Sequence, residues 1–134
     1  MDKNELKRKL TSEQYRVTQE KGTEAPFSGK FVDHFEQGMY ACVVCGTQLF
    51  ASDAKYKGEH GPEGLRGWPS FDQALPGAVK FLPDDSHGMH RTEVVCANCG
   101  AHLGHLFDDP TAPSGKHFCI NSVCLEFKDK DGKK

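Results

Sequence analysis

This chain has no long apolar stretch. The longest fully apolar run is Met39 to Cys45, well short of the roughly 20 residues a helix needs to cross a bilayer. Nor does one sign of charge dominate, with 17 basic against 19 acidic side chains. The basic footprint of a nucleic-acid or membrane-surface binder is therefore missing. The start is charged from Asp2 to Lys9 and has no apolar core of a secretory signal. A soluble, cytoplasmic protein is the expectation, with no nucleic-acid or membrane partner. In that reducing setting a disulfide framework loses ground. The 134 residues suit one domain, 1–134, with room for a core. Its ends are expected to be frayed or disordered at 1–9 and 128–134, the tail being almost wholly charged.

What the chain does have is six cysteines, four of them in two Cys-x-x-Cys pairs, Cys42 with Cys45 and Cys96 with Cys99. Each pair is closed by a glycine, Gly46 or Gly100, which lets the backbone turn tightly after the second sulfur. Together they supply the four thiolates of a tetrahedral zinc site. A thioredoxin-type redox pair would need a helix N-terminus in an α/β setting, and the sequence offers none. With all four positions filled by sulfur no open site is left for water. One structural Zn²⁺ per chain is expected, joining two hairpins far apart in sequence.

Thr11-Ser12-Glu13-Gln14 carries a capping box, predicting a helix from Ser12 to Glu20 that stops at Gly22. Asp2 to Leu10 either add a helical turn or fray. From Gly38 onward short strands alternate with Gly, Pro and Asp: Gly38–Val43, Gln48–Ala51, Val79–Leu82, His90–Val95, Leu103–Phe107, Lys116–Asn121 and Val123–Phe127. Tyr56 to Arg66 reads as a long loop. The fold class is mainly β: antiparallel sheets in a sandwich or partly open barrel, short N-terminal helices, and the four-cysteine zinc site.

Two cysteines remain, Cys119 and Cys124. On a strand, His117, Cys119 and Asn121 share one face while Phe118 and Ile120 take the other. A thiol between an imidazole and an amide reads either as a reactive site or as a half-buried structural cysteine. The single tryptophan, Trp68, sits in Gly67-Trp68-Pro69-Ser70-Phe71. It is either a core anchor for that loop or an aromatic wall for a small apolar group. His102 and His105 flank Leu103-Gly104. Three apart on a regular strand, they face opposite ways, so they meet only if Gly104 introduces a bulge.

Taken together, Gly67-Trp68-Pro69-Ser70-Phe71, His102-Leu103-Gly104-His105, His117-Phe118-Cys119-Ile120-Asn121 and the two knuckles resemble the methionine-R-sulfoxide reductase B (MsrB) family, zinc-containing form. The likeness runs from about Leu10 to Phe127 and includes Gly22-Thr23-Glu24. It implies a mostly antiparallel β enzyme that reduces the R epimer of methionine sulfoxide in oxidised proteins or peptides. By position, Cys119 matches the catalytic thiol, Asn121 its partner amide, and His102 and His105 the active-site histidines. Trp68 matches the residue that packs on the substrate's S-methyl group, and Thr23 and Asp109 match positions that line or support the site. The implied chemistry is thiolate attack on the sulfoxide sulfur, with His105 as acid and His102 as orienting partner. It leaves methionine and a Cys119 sulfenic acid, regenerated by thioredoxin or a small thiol.

This chain departs from the family pattern in two places. Arg66 stands where many members carry a recycling cysteine, and His117 stands where Arg is usual. Cys124 is the only other free thiol, but five residues of straight strand span roughly 16 Å, beyond the ~7 Å Cα limit of a disulfide. Only a turn at Asn121-Ser122 brings the two closer. The competing readings are a zinc-stapled β module that binds a peptide, and a zinc hydrolase. The joint presence of Cys119, His105 and Trp68 disfavours the first, and the closed thiolate shell the second.

Overall fold

The computed structural model describes residues 3–24, 29, 31, 36–56, 68–85, 91–108 and 114–129. Two helices open the chain, α1 (Lys3–Lys9) and α2 (Ser12–Glu20). The capping box forms as the sequence predicts: Gln14 N donates to Thr11 Oγ1 at 3.1 Å, and Thr11 N donates to Gln14 Oε1 at 2.8 Å. The helix ends at Glu20 as expected, but its cap residue differs. Lys21, not Gly22, takes the left-handed cap at φ 56°, while Gly22 N donates to Arg16 O at 3.0 Å. A Cβ on Gly22 would lie 2.5 Å from Arg16 Nη1. Gly22 supplies no positive φ, and the atom a Cβ would meet first is the movable tip of the Arg16 side chain.

Among the described residues nine strands follow: β1 (Gly38–Cys42), β2 (Gln48–Ala51), β3 (Lys55–Tyr56), β4 (Ser70–Phe71), β5 (Val79–Asp84), β6 (Arg91–Cys96), β7 (His102–Asp108), β8 (Lys116–Ile120) and β9 (Leu125–Asp129). They form two antiparallel sheets, β2-β1-β9 and β3-β4-β8-β7-β6-β5. The mainly β, two-sheet expectation holds. Strands β3 and β4 are too short to carry a period of their own and went unforeseen. The predicted strand Val123–Phe127 begins at Leu125 instead. Ser122–Cys124 forms a 3₁₀ turn, closed by Cys124 N donating to Asn121 O at 3.0 Å.

An aromatic core joins the sheets. Phe50 of β2 stacks on Phe71 of β4 with ring centroids 4.3 Å apart, and Tyr40 of β1 meets Phe71 edge-on at 5.2 Å. Phe118 of β8 closes on Phe50 at 5.8 Å. Tyr40, Phe50 and Phe71 are wholly buried, and burial of one such side chain contributes roughly 1.5–3 kcal/mol. Phe118 and Ile120 are thus spent on the core, leaving Cys119 on the opposite face of β8, as alternation requires.

One irregularity positions the site. Between β6 and β7 the register shifts, Val94 pairing with Gly104 but Val95 with His102, so Leu103 is the extra residue of a bulge. At Gly104 a Cβ would lie 2.0 Å from Cys119 O and 3.0 Å from Ile120 Cα. No side chain fits between β7 and β8 at that point.

Candidate active site

The two Cys-x-x-Cys knuckles are the turns after β1 and β6. Gly46 (φ 80°) and Gly100 (φ 78°) hold the left-handed positions, with Gly46 N donating to Cys42 O and Gly100 N to Cys96 O, each at 2.8 Å. All four sulfurs lie within 4.8 Å of one another. Cys42 Sγ is 3.7 Å from Cys99 Sγ, and Cys45 Sγ is 3.6 Å from Cys96 Sγ. A tetrahedral zinc with ~2.3 Å bonds to sulfur sets its ligands about 3.8 Å apart, so the residues fit the ion. As bare thiols they disturb one another. Hydrogen bonding between the pair and burial push the Cys42 thiol far up, while its bond with Cys42 draws Cys99 down to about 5. A dication removes that conflict by taking all four as thiolates. The cluster ties β1 of one sheet to β6 and β7 of the other.

Cys119 lies elsewhere, in a cavity of about 190 Å³ on the other face of β8. At ~30 Å³ per water this is room for a small side-chain group. Ser70 of β4 and His105 of β7 pair directly with Cys119 on its two sides, so the flanking strands aim their residues at the thiol. Trp68, two residues before Ser70, walls the cavity, as do Thr23, His105 and Asn121. Arg91, Gly104 and Phe107 complete it. Burial, followed by the nearby Glu24 carboxylate, pushes the Cys119 thiol up to about 12. The resting group is a neutral thiol.

Glu24 is the brace of this pocket. Its N–H donates to Asn121 Oδ1 at 3.0 Å, its carbonyl accepts from Trp68 Nε1 at 3.0 Å, and its Oε1 accepts from Val123 N at 2.9 Å. Asn121 in turn donates through Nδ2 to Leu103 O at 3.0 Å, reaching the bulge. One amide thus ties the end of β8 to β7 and to the segment that delivers Thr23.

Because of the bulge, the rings of His102 and His105 meet, centroids 5.4 Å apart. Each has its own carboxylate: His102 Nδ1 lies 2.7 Å from Glu93 Oε2, and His105 Nε2 lies 2.7 Å from Asp84 Oδ2. His102 is 3% exposed and Glu93 2%. Burial holds His102 below the usual histidine range against the pull of Glu93, and the contact with the carboxylate calls for a proton on Nδ1. Its Nε2 is buried without a hydrogen-bond partner among the described residues.

Of the residues singled out from the sequence, Cys119, His105, Asn121, Trp68 and Thr23 therefore share one cavity. His102 sits behind His105, outside the cavity lining. Asp109 and Arg66 lie outside the described residues. His117 shares the face of Cys119 but is wholly buried, its Nε2 2.9 Å from Ser70 Oγ. Cys124 is also wholly buried, its thiol donating to His102 O at 3.2 Å. The 3₁₀ turn, not strand alternation, sets where it points. Arg91, Phe107, Glu24, Glu93 and Asp84 were missed. The available signal was Arg91-Thr92-Glu93, two charges on one face of a strand running straight into a knuckle, where burial of charge implies partners.

A family profile described as the SelR domain matches residues 10–129. The chain is 50% identical over 131 residues to "Peptide methionine sulfoxide reductase MsrB" of Methanosarcina barkeri, covering 96% of this chain and 88% of that protein. It is 47% identical to a protein of the same name from Synechococcus sp., covering 95% and 90%. Against "Methionine-R-sulfoxide reductase B3, mitochondrial" of Mus musculus it is 49% identical over 95% of its length, but spans only 48% of that relative. Among the described residues no helix is long and apolar enough to cross a membrane.

Proposed function

As a member of the SelR-domain family, the chain is an oxidoreductase of the methionine-R-sulfoxide reductase B kind, and we propose that Cys119 carries the reaction. The substrate is the R epimer of methionine sulfoxide in oxidised proteins or peptides. The observation that supports this most is the direct pairing of Cys119 with His105 inside a cavity walled by Trp68. A nucleophile, an acid and an apolar wall stand together there on rigid strands.

The substrate's S-methyl group rests on Trp68, and the sulfoxide oxygen turns toward His105. Sulfur of Cys119 attacks the sulfoxide sulfur as its thiol proton passes to solvent, and the oxygen is protonated by the His105 ring in its protonated form, which solvent then recharges. Oxygen then passes to Cys119, releasing the thioether of methionine and leaving a sulfenic acid, a two-electron exchange. Two equivalents of external thiol, from a small dithiol or thioredoxin, return Cys119 to its thiol with loss of water and formation of a disulfide. His102 orients His105, and Asn121 fixes the end of β8. Thr23 and Asp109 line or support the site. The trapped S-methyl group contributes modest selectivity, so handedness comes from polar groups fixed around the oxygen.

Cys42, Cys45, Cys96 and Cys99 hold Zn²⁺, whose contribution is to staple the two sheets. The setting is cytoplasmic and reducing. The test is Cys119→Ser: reduction of R-sulfoxide substrates is lost while bound zinc is unchanged, and full activity in that variant sinks the assignment.

A further inference from the structure

Between the pocket and the edge of the larger sheet lies a pair of charged side chains that the reaction as described leaves unused. Asp84, near the end of edge strand β5, pairs across the ladder with Arg91 of β6. Its Oδ2 accepts from Arg91 Nη2 at 3.3 Å and lies 2.7 Å from His105 Nε2. Resting on the functional reading above, we propose that Asp84 is the positioning residue for the acid, holding His105 with Nε2 turned away from the substrate so that Nδ1 delivers the proton.

The geometry makes this one-sided. A ring has two nitrogens, and a 2.7 Å contact with a carboxylate commits Nε2 as a donor. The nitrogen left for the cavity, which His105 lines, is Nδ1. With the Nε2 proton turned to Asp84, Nδ1 donates when the ring carries its second proton. Arg91 holds the same Asp84 oxygen and, by lining the same cavity, joins the pair to the substrate space. Among the described residues, the other titratable or charged groups packed around His105 are Glu93 from β6, His102 from β7 and Cys119 from β8. Glu93 is already held by His102 and by Lys21 Nζ at 3.3 Å, so it does not take over for Asp84.

The experiment follows a single turnover of pre-reduced zinc-loaded protein with an R-sulfoxide peptide, so that regeneration does not limit the rate. Asp84→Asn is expected to slow methionine formation by about 10²-fold, within the range of general acid catalysis, with the half-saturating substrate concentration changed less than about threefold. Asp84→Glu recovers part of the rate. Zinc stoichiometry and thermal melting confirm that both variants are folded. A folded Asp84→Asn protein with the wild-type rate, or with a slower rate that Asp84→Glu does not recover, overturns the assignment. Cys119→Ser and wild type run alongside: wild type without R-sulfoxide activity would refute the functional reading itself, whereas an active wild type with an indifferent Asp84→Asn refutes only the role of Asp84.

Discussion

Replacing Gly104 with alanine adds one methyl group at the point where β7 and β8 leave no room. The new Cβ would lie 2.0 Å from Cys119 O, 3.0 Å from Cys119 C and 3.0 Å from Ile120 Cα. All three are backbone atoms of β8, so no side chain can swing aside. Relieving the contact to an ordinary ~3.4 Å requires the strands to separate locally by more than about 1 Å. Overpacking of this kind costs about 1–3 kcal/mol. Loss of one or two of the flanking ladder hydrogen bonds, such as Asn121 N to Leu103 O at 2.9 Å, adds ~0.5–1.5 kcal/mol each. The expected destabilisation is about 3 kcal/mol by urea unfolding. Activity should fall further than stability explains, because a ~1 Å misplacement of His105 against Cys119 is worth about 10²-fold in rate. Gly100→Ala is the control. Its Cβ would meet nothing within 4 Å, so it bears only the ~1–2 kcal/mol of a left-handed alanine and leaves the rate intact. A Gly104→Ala protein within 0.5 kcal/mol of wild type and fully active would refute the reasoning about the bulge.

Three further outcomes are expected. Stripping the metal with a mercurial and chelator should abolish the cooperative melt, because zinc binding of ~10–16 kcal/mol rivals the ~5–15 kcal/mol stability of a whole domain; an unchanged melt would remove zinc from the fold's support. Acid should destabilise the protein through His102, whose folded-state titration is depressed by burial. That contribution is fully present above the ordinary histidine value of about 6.5 and lost as pH falls below it, so the midpoint of melting drops between pH 7.5 and 5.5, and less so in His102→Gln. Oxidised protein trapped with dimedone should carry the label on Cys119, with no Cys119–Cys124 disulfide by mass spectrometry, since Cys124 is wholly buried and bonded to His102 O; a disulfide as the main species would reverse the regeneration scheme.

What could be read from the sequence was what short stretches determine. Two Cys-x-x-Cys-Gly knuckles announce their sulfur geometry within five residues, and alternation placed Cys119 opposite Phe118 and Ile120. A bulge between His102 and His105 was legible too, although its extra residue is Leu103 and Gly104 serves the close approach of β8. What could not be read depends on chain segments far apart. Asp84 reaches His105 across three strands' worth of register, and Glu24 braces Asn121 from the far end of the chain. Strands β3 and β4 have two residues each and owe their existence to pairing, β3 with β4 and β4 with β8, not to any pattern of their own. Cys124 was placed by assuming a straight strand; the 3₁₀ turn after Asn121 replaced that geometry while leaving the thiol in the core.

The central claim is that Cys119, facing His105 and Trp68, reduces one epimer of methionine sulfoxide. The most direct measurement uses separated R and S sulfoxide peptides with dithiothreitol, wild type beside Cys119→Ser, and metal content determined on both. The account predicts reduction of the R epimer alone by wild type, none by the variant, and equal zinc in the two. Equal turnover of both epimers, or an active Cys119→Ser protein, would contradict it.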